Sequence, residues 1–197
     1  MGGRAGGGAG LGGGLNRDTT YKGSIKNVES LVNMKDPAMY KATKEAISNF
    51  ATKLGVPERN VKLADLQGNV MGIGTKGEVY LNKKYFNKSA GEFSKTMKQS
   101  YDSGHLTKTN KPLAHVLNHE FAHAAWQSSH TSPMAKAAGK EITKMYKSWS
   151  KSGGNGYGKY AKSNVDEFWA EVSTKAAHGT SDKWTKQAKA IYKKFKL

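Results

Sequence analysis

The sequence contains no cysteine. Disulfides and thiolate metal sites are therefore excluded, and any metal must be held by His, Asp or Glu. Acids are scarce as well: 15 Asp and Glu stand against 32 Lys and Arg, for a formal net charge of +17. Arginine is nearly missing, represented by Arg4, Arg17 and Arg59 alone. Base-reading proteins favour arginine for its bidentate fork, so sequence-specific DNA recognition is disfavoured. The lysines still allow sequence-blind contact with a polyanion: nucleic acid, an acidic protein surface or anionic lipid. The plainer alternative is a solvated coat that keeps the chain soluble. No apolar run approaches the roughly twenty residues that a membrane helix requires. Nor does the opening read as a secretory signal, because Leu11 and Leu15 stand alone among glycines.

Glycine is the residue in excess, at 23, and much of it sits in "MGGRAGGGAGLGGGL". That stretch has too few side chains to bury anything. Residues 1–18 are expected to form a flexible arm, leaving 19–197 for a single folded domain.

Residues 19–36 show no clean period. Asp36-Pro37 then reads as a helix start, and Met39, Ala42, Ala46, Ile47, Phe50 and Leu54 follow at helical steps until Gly55 and Pro57. Three short β-type segments come next, at 61–66, 69–74 and 78–82, and suggest a small antiparallel sheet. From Phe93 the pattern is helical, with helices expected near 92–101, 111–128, 133–149, 164–177 and 182–195. A glycine-rich loop interrupts them at 150–160. The order predicts an α+β fold, mainly helical, with the sheet preceding the histidine-bearing helix.

That helix contains "HVLNHEFAHAAW", residues 115–126. His119 and His123 are i and i+4, so both imidazoles lie on one face and can reach one ion. Glu120 is offset around the helix, beside the ion rather than under it. A carboxylate there suits proton transfer from water whose pKa a zinc ion lowers to about 7. Chance alone gives an HExxH roughly once in a hundred chains of this length, so the motif needs support from elsewhere. Without that support it reads as an ordinary amphipathic helix with histidines at its polar edge. His115 also pairs with His119 by spacing, but Val116 stands where a second glutamate would be needed. It is expected behind the site or at the surface.

A catalytic zinc site takes three protein ligands and one open position. His130 is one residue too late for the metzincin spacing, and His178, in a helix's last turn, suggests a surface role. Carboxylates are better candidates. "NVDEFWAEVSTKAA", residues 164–177, offers Glu167 and Glu171 at i and i+4. Glu167 would bind the metal, and Glu171 would accept the spare N–H of a ligand imidazole. Beside Phe168, Trp169 and Ala170, two acids are costly to bury without a cation; an exposed acidic edge is the alternative.

His119-Glu120-x-x-His123 followed by Tyr160-x6-Glu167-Phe168-Trp169-Ala170-Glu171 resembles the gluzincin zinc metallopeptidases, the group of the anthrax lethal factor catalytic domain. Related domains occur in polymorphic toxins and phage-encoded proteins. The resemblance spans roughly residues 111–177. It implies a zincin-like domain with zinc held by His119, His123 and Glu167. Glu120 would be the general base, and Tyr160 would assist the oxyanion or leaving group. It also implies an edge strand that pairs with extended peptide, for which "GEVYLN" is the candidate. The "MGGRAGGG" opening is similar to glycine-rich starts of bacteriophage head or virion proteins.

The leading expectation is a zinc endopeptidase acting on protein or peptide, cytoplasmic or virion-associated, or else secreted as a toxin effector. The alternative is a non-enzymatic, basic virion or nucleic-acid-associated protein with a vestigial metal site.

Overall fold

The computed structural model describes residues 21, 23–75, 77–128 and 133–197. The expected arm, 1–18, lies outside the described residues, as does His130. The described chain opens with β1 (Ile25–Ser30), a 3-10 turn (Leu31–Asn33) and α1 (Pro37–Leu54). Asp36 caps α1 by accepting from Met39 N, and Gly55 closes it at φ 69, the left-handed conformation that favours glycine. Then come β2 (Asn60–Leu66), β3 (Gly72–Gly74), β4 (Glu78–Asn82) and one short turn of helix, α2 (Lys83–Phe86). The rest is helical: α3 (Ala90–Asp102), α4 (Pro112–Ser128), α5 (Pro133–Lys151), α6 (Val165–Ala177) and α7 (Lys183–Phe195). A 3-10 turn at Lys159–Lys162 leads into α6. The class is α+β, and the expected helices are present with ends shifted by a few residues.

The sheet differs from the expected antiparallel one. It has four strands in the order β1-β2-β4-β3 and is mixed, because β2 and β4 run parallel while the other two pairs are antiparallel. After β2 the chain crosses to the far edge, lays down β3 there and turns back, placing β4 in the middle. Asn82 secures this crossing by donating from Nδ2 to Leu66 O at 3.3 Å and Val70 O at 2.6 Å. The "GEVYLN" strand is thus central, and β3 is the edge. β1 left no trace in the sequence pattern because almost all its residues are exposed, so no apolar face forces an alternation.

One apolar cluster runs from Leu31 to Leu197 and joins the helices to the inner sheet residues Val61, Leu63, Val79 and Leu81. Within it Phe50 of α1 stacks on Phe121 of α4, and Trp169 of α6 stacks on Tyr192 of α7. Helix α6 is buried on nearly every side: from Asp166 to Ala177 all residues but Lys175 are buried. A helix so enclosed that still carries Glu167 and Glu171 must offset two desolvated carboxylates. Among the described residues, no helix is long and apolar enough to cross a membrane.

Candidate metal centre

Helices α4 and α6 lie side by side and turn three side chains onto one point. His119 Nε2 is 2.9 Å from Glu167 Oε2 and 3.1 Å from His123 Nε2. His123 Nε2 is 3.4 Å from the same carboxylate oxygen. Ligand atoms around a tetrahedral ion with bonds of 2.0–2.1 Å stand about 3.3 Å apart, so the triangle has the right size for one.

Behind this triangle is a second layer. His119 Nδ1 faces Glu171 Oε1 at 3.2 Å, and His115 Nε2 faces that same oxygen at 3.3 Å. The other oxygen, Oε2, accepts from Thr107 N at 2.7 Å. His115 Nδ1 lies 3.1 Å from the Tyr101 hydroxyl. A ring that donates from Nδ1 to Glu171 presents a lone pair at Nε2, directed at a carboxylate and a second imidazole. Three acceptors cannot converge unless a proton or cation sits among them. Two groups, the fully buried His115/His119/Glu171 and the partly buried His119/His123/Glu167, can each hold a metal ion. They share His119.

The electrostatics agree. Burial opposes charge on His119, but hydrogen bonds to Glu167 and Glu171 outweigh it and raise its pKa well above the usual value. His123 is raised too, with burial again overcome by Glu167. Burial pushes Glu167 up, yet His123 and His119 hold it below the ordinary carboxylate range. Glu171 is lowered in the same way, burial losing to His115 and His119. Each shift favours the charged form, so in the absence of a metal the imidazoles and carboxylates hold one another as ion pairs.

Two further side chains flank the triangle. Glu120 is half-buried, and its Oε2 accepts from Gly74 N at 2.8 Å. That amide belongs to the open edge of β3: Met71 and Thr75 bond across to β4, so alternation turns Gly72 and Gly74 outward. Both glycines are required by the close approach of strand to helix. A Cβ on Gly74 would collide with Glu120 O and stand 2.9 Å from Ala124 N, and one on Gly72 would be 2.8 Å from Glu120 Cγ.

Tyr160 stacks on His119, with ring centroids 5.6 Å apart, and lies tilted against His105 at 5.1 Å. Its hydroxyl pKa is raised, first by burial and then by the charges of Glu167 and Glu120, so it stays protonated. The glycine-rich loop before it is held down: Lys159 N donates to Gly104 O and Tyr160 N to His105 O, both at 2.8 Å.

The spacing of HExxH and the Glu167/Glu171 pair is thus drawn together in space. Other residues were anticipated in part or not at all. His115, expected behind the site or at the surface, takes the first of these places: it is 1% exposed and sits against Glu171. Its i, i+4 relation to His119 was the available signal. His178 is not at the surface either. It is 8% exposed, packs edge-on to His115, and has no hydrogen-bond partner at either ring nitrogen among the described residues. The enclosure of α6 carries even its last turn inward. Burial, then the nearby His115, Lys111 and Lys53, lower the His178 pKa to about 3. Thr107 and Tyr101 carried no signal at all, whereas "GIG" in a strand did hint at close backbone approach. No family model, curated protein or solved structure matches the chain.

Proposed function

We propose that the chain is a zinc-dependent endopeptidase of the gluzincin kind, with His119, His123 and Glu167 as metal ligands. The observation that carries this reading is the convergence of those three ligand atoms to within 2.9–3.4 Å of one another. Two imidazoles and a carboxylate, with no thiolate in the chain, suit zinc in a hydrolytic site. The outer triangle is preferred over the inner group because it borders Glu120, Tyr160 and the open β3 edge. Zinc held there would supply Lewis-acid activation of water and of a carbonyl group.

The protein's own residues do the remainder. Glu120, fixed by the Gly74 amide, takes a proton from the attacking water and passes it to the leaving amine. Tyr160, kept protonated beside His119, donates a hydrogen bond to the oxygen on which charge develops. Glu171 and His115 orient His119 from behind. The outer edge of β3, rather than β4, would offer an extended peptide its outward backbone groups other than the Gly74 N–H, which Glu120 holds. The lysine excess would bring the enzyme to acidic or polyanion-bound substrates, nucleic-acid-associated and virion proteins included.

One observation favours a second reading. Glu171 and His115 are sealed from solvent, at 0% and 1% exposure, so an ion in the inner group would have no open position and only a structural role. The test is metal content and casein cleavage by wild type and Glu120→Gln. A peptidase binds about one zinc per chain in both proteins and loses cleavage only in the variant. Bound zinc with no cleavage by wild type supports the structural reading, and no bound zinc overturns both.

A further inference from the structure

Thr107 lies in the loop between α3 and α4, outside the helices that carry the candidate metal ligands, yet its N–H and its hydroxyl are both spent on the site. Its N–H donates to Glu171 Oε2 at 2.7 Å, and its Oγ1 accepts from Gly158 N at 2.9 Å. It is 4% exposed. Gly158 opens the segment that carries Tyr160, and it presses so closely on the 105–107 backbone that a Cβ would stand 2.6 Å from Thr107 N. The neighbouring bonds, Lys159 N to Gly104 O and Tyr160 N to His105 O, extend the seam. One residue thus touches both the carboxylate behind His119 and the strap that seats Tyr160 over the same ring.

We propose that Thr107 is a positioning residue that sets the Tyr160 strap against the Glu171–His119 pair, so the Tyr160 hydroxyl and the metal ligands keep one relative geometry. The kinetic half of this inference rests on the peptidase reading; the structural half does not. The backbone N–H serves Glu171 whatever the side chain, so only the hydroxyl is separable by mutation. Thr107→Val removes it while keeping shape, and leaves the buried Gly158 N–H without an acceptor. Thr107→Ser restores the acceptor and deletes only a methyl group.

The experiment uses the full zinc-loaded chain in three forms: wild type, Thr107→Val and Thr107→Ser. Amide hydrogen exchange over residues 158–162, zinc affinity by chelator competition, and kcat and KM on a peptide that wild type cleaves are measured together. In Thr107→Val, exchange in the strap is expected to quicken roughly tenfold and kcat to fall by a similar factor, while KM and zinc affinity stay within about twofold. Thr107→Ser is expected to match wild type in every readout. Unchanged strap exchange in the valine variant overturns the proposal. So does a serine variant as impaired as the valine one, which would assign the effect to packing of the methyl group. A loss of zinc affinity equal to the loss of kcat also overturns it, since Thr107 would then act on the ligands alone. If wild type cleaves nothing, the peptidase reading fails while the exchange result still decides whether Thr107 holds the strap.

Discussion

His119 Nδ1 lies 3.2 Å from Glu171 Oε1, and this one contact decides which nitrogen of the ring faces Glu167. With one proton held on the Glu171 side, the other is the one a cation would displace from Nε2, so His119 could bind an ion through that nitrogen.

Glu171→Gln tests that relationship. The amide keeps the volume but loses the charge, and it can present an N–H to the ring instead of an acceptor. Zinc affinity is expected to fall about 10- to 100-fold, by chelator competition, with Glu167→Gln falling further because a ligand atom itself is altered. Equal affinities for wild type and Glu171→Gln would place the ion's hold elsewhere.

Acid–base linkage gives the metal-free protein a stability maximum. His119 and His123 are raised above 6.5, so their contribution is complete below pH 6.5 and is lost as pH climbs through their folded values. Glu167 and Glu171 are lowered beneath 4.5, so theirs is present above pH 4.5 and is lost as pH falls through the folded values. His178, lowered to about 3, acts against folding below pH 6.5, because the unfolded chain takes a proton that the folded one refuses. The melting midpoint without metal should therefore peak between pH 4.5 and 6.5, toward the upper end. Zinc held by these histidines would replace their protons, so its stabilising effect should be larger at about pH 8 than at about pH 5.5. A zinc effect independent of pH would mean that these groups are not its ligands.

Much of this site was legible because helical spacing fixes geometry. His119 and His123 are one turn apart on α4, Glu167 and Glu171 one turn apart on α6, and two packed helices need only the right rotation to bring the pairs together. The uncommon cost of placing acids beside Phe168 and Trp169 marked α6 as the partner helix. What stayed hidden comes from loops and edges. Thr107 acts through a backbone amide, which every residue possesses, so no side-chain pattern announces it. β1 is exposed and hence unpatterned. The place of β4 in the middle of the sheet follows from a crossing whose anchor, Asn82, is a side chain bonded to two carbonyls far from it in sequence.

The strand-to-helix contact predicts opposite outcomes for two Gly→Ala substitutions. At Gly74 a Cβ meets the backbone of α4, which cannot yield as a flexible side chain would. Gly74→Ala should cost about 1–3 kcal/mol by forced backbone movement, lowering the midpoint by roughly 2–4 °C per kcal/mol in a chain of this size. Zinc affinity or cleavage should fall with it, because the amide that holds Glu120 moves. At Gly91, in the first turn of α3, a Cβ has nothing within 4 Å. Gly91→Ala should raise stability by about 0.4–1 kcal/mol through the unfolded chain's lost freedom. A calorimetric scan of both variants checks this, and a neutral Gly74→Ala would overturn the close approach of β3 to α4.

Tyr160→Phe separates the hydroxyl from the ring. The phenyl group retains the stack on His119 and the backbone bond to His105 O, so the strap and the metal triangle should keep their places. Zinc affinity is therefore expected to be unchanged. On the peptidase proposal, the variant loses one hydrogen-bond donor to the developing negative charge, which should cost about 10²- to 10³-fold in kcat with little change in KM. Burial and the charges of Glu167 and Glu120 hold the hydroxyl protonated, so Tyr160 adds no alkaline limb to the wild-type pH–rate profile. The variant's profile should then have the same shape at a lower height. A raised KM at constant kcat would make Tyr160 a substrate-binding group, and a shifted pH limb would make it a proton-transfer group; either result removes the oxyanion role.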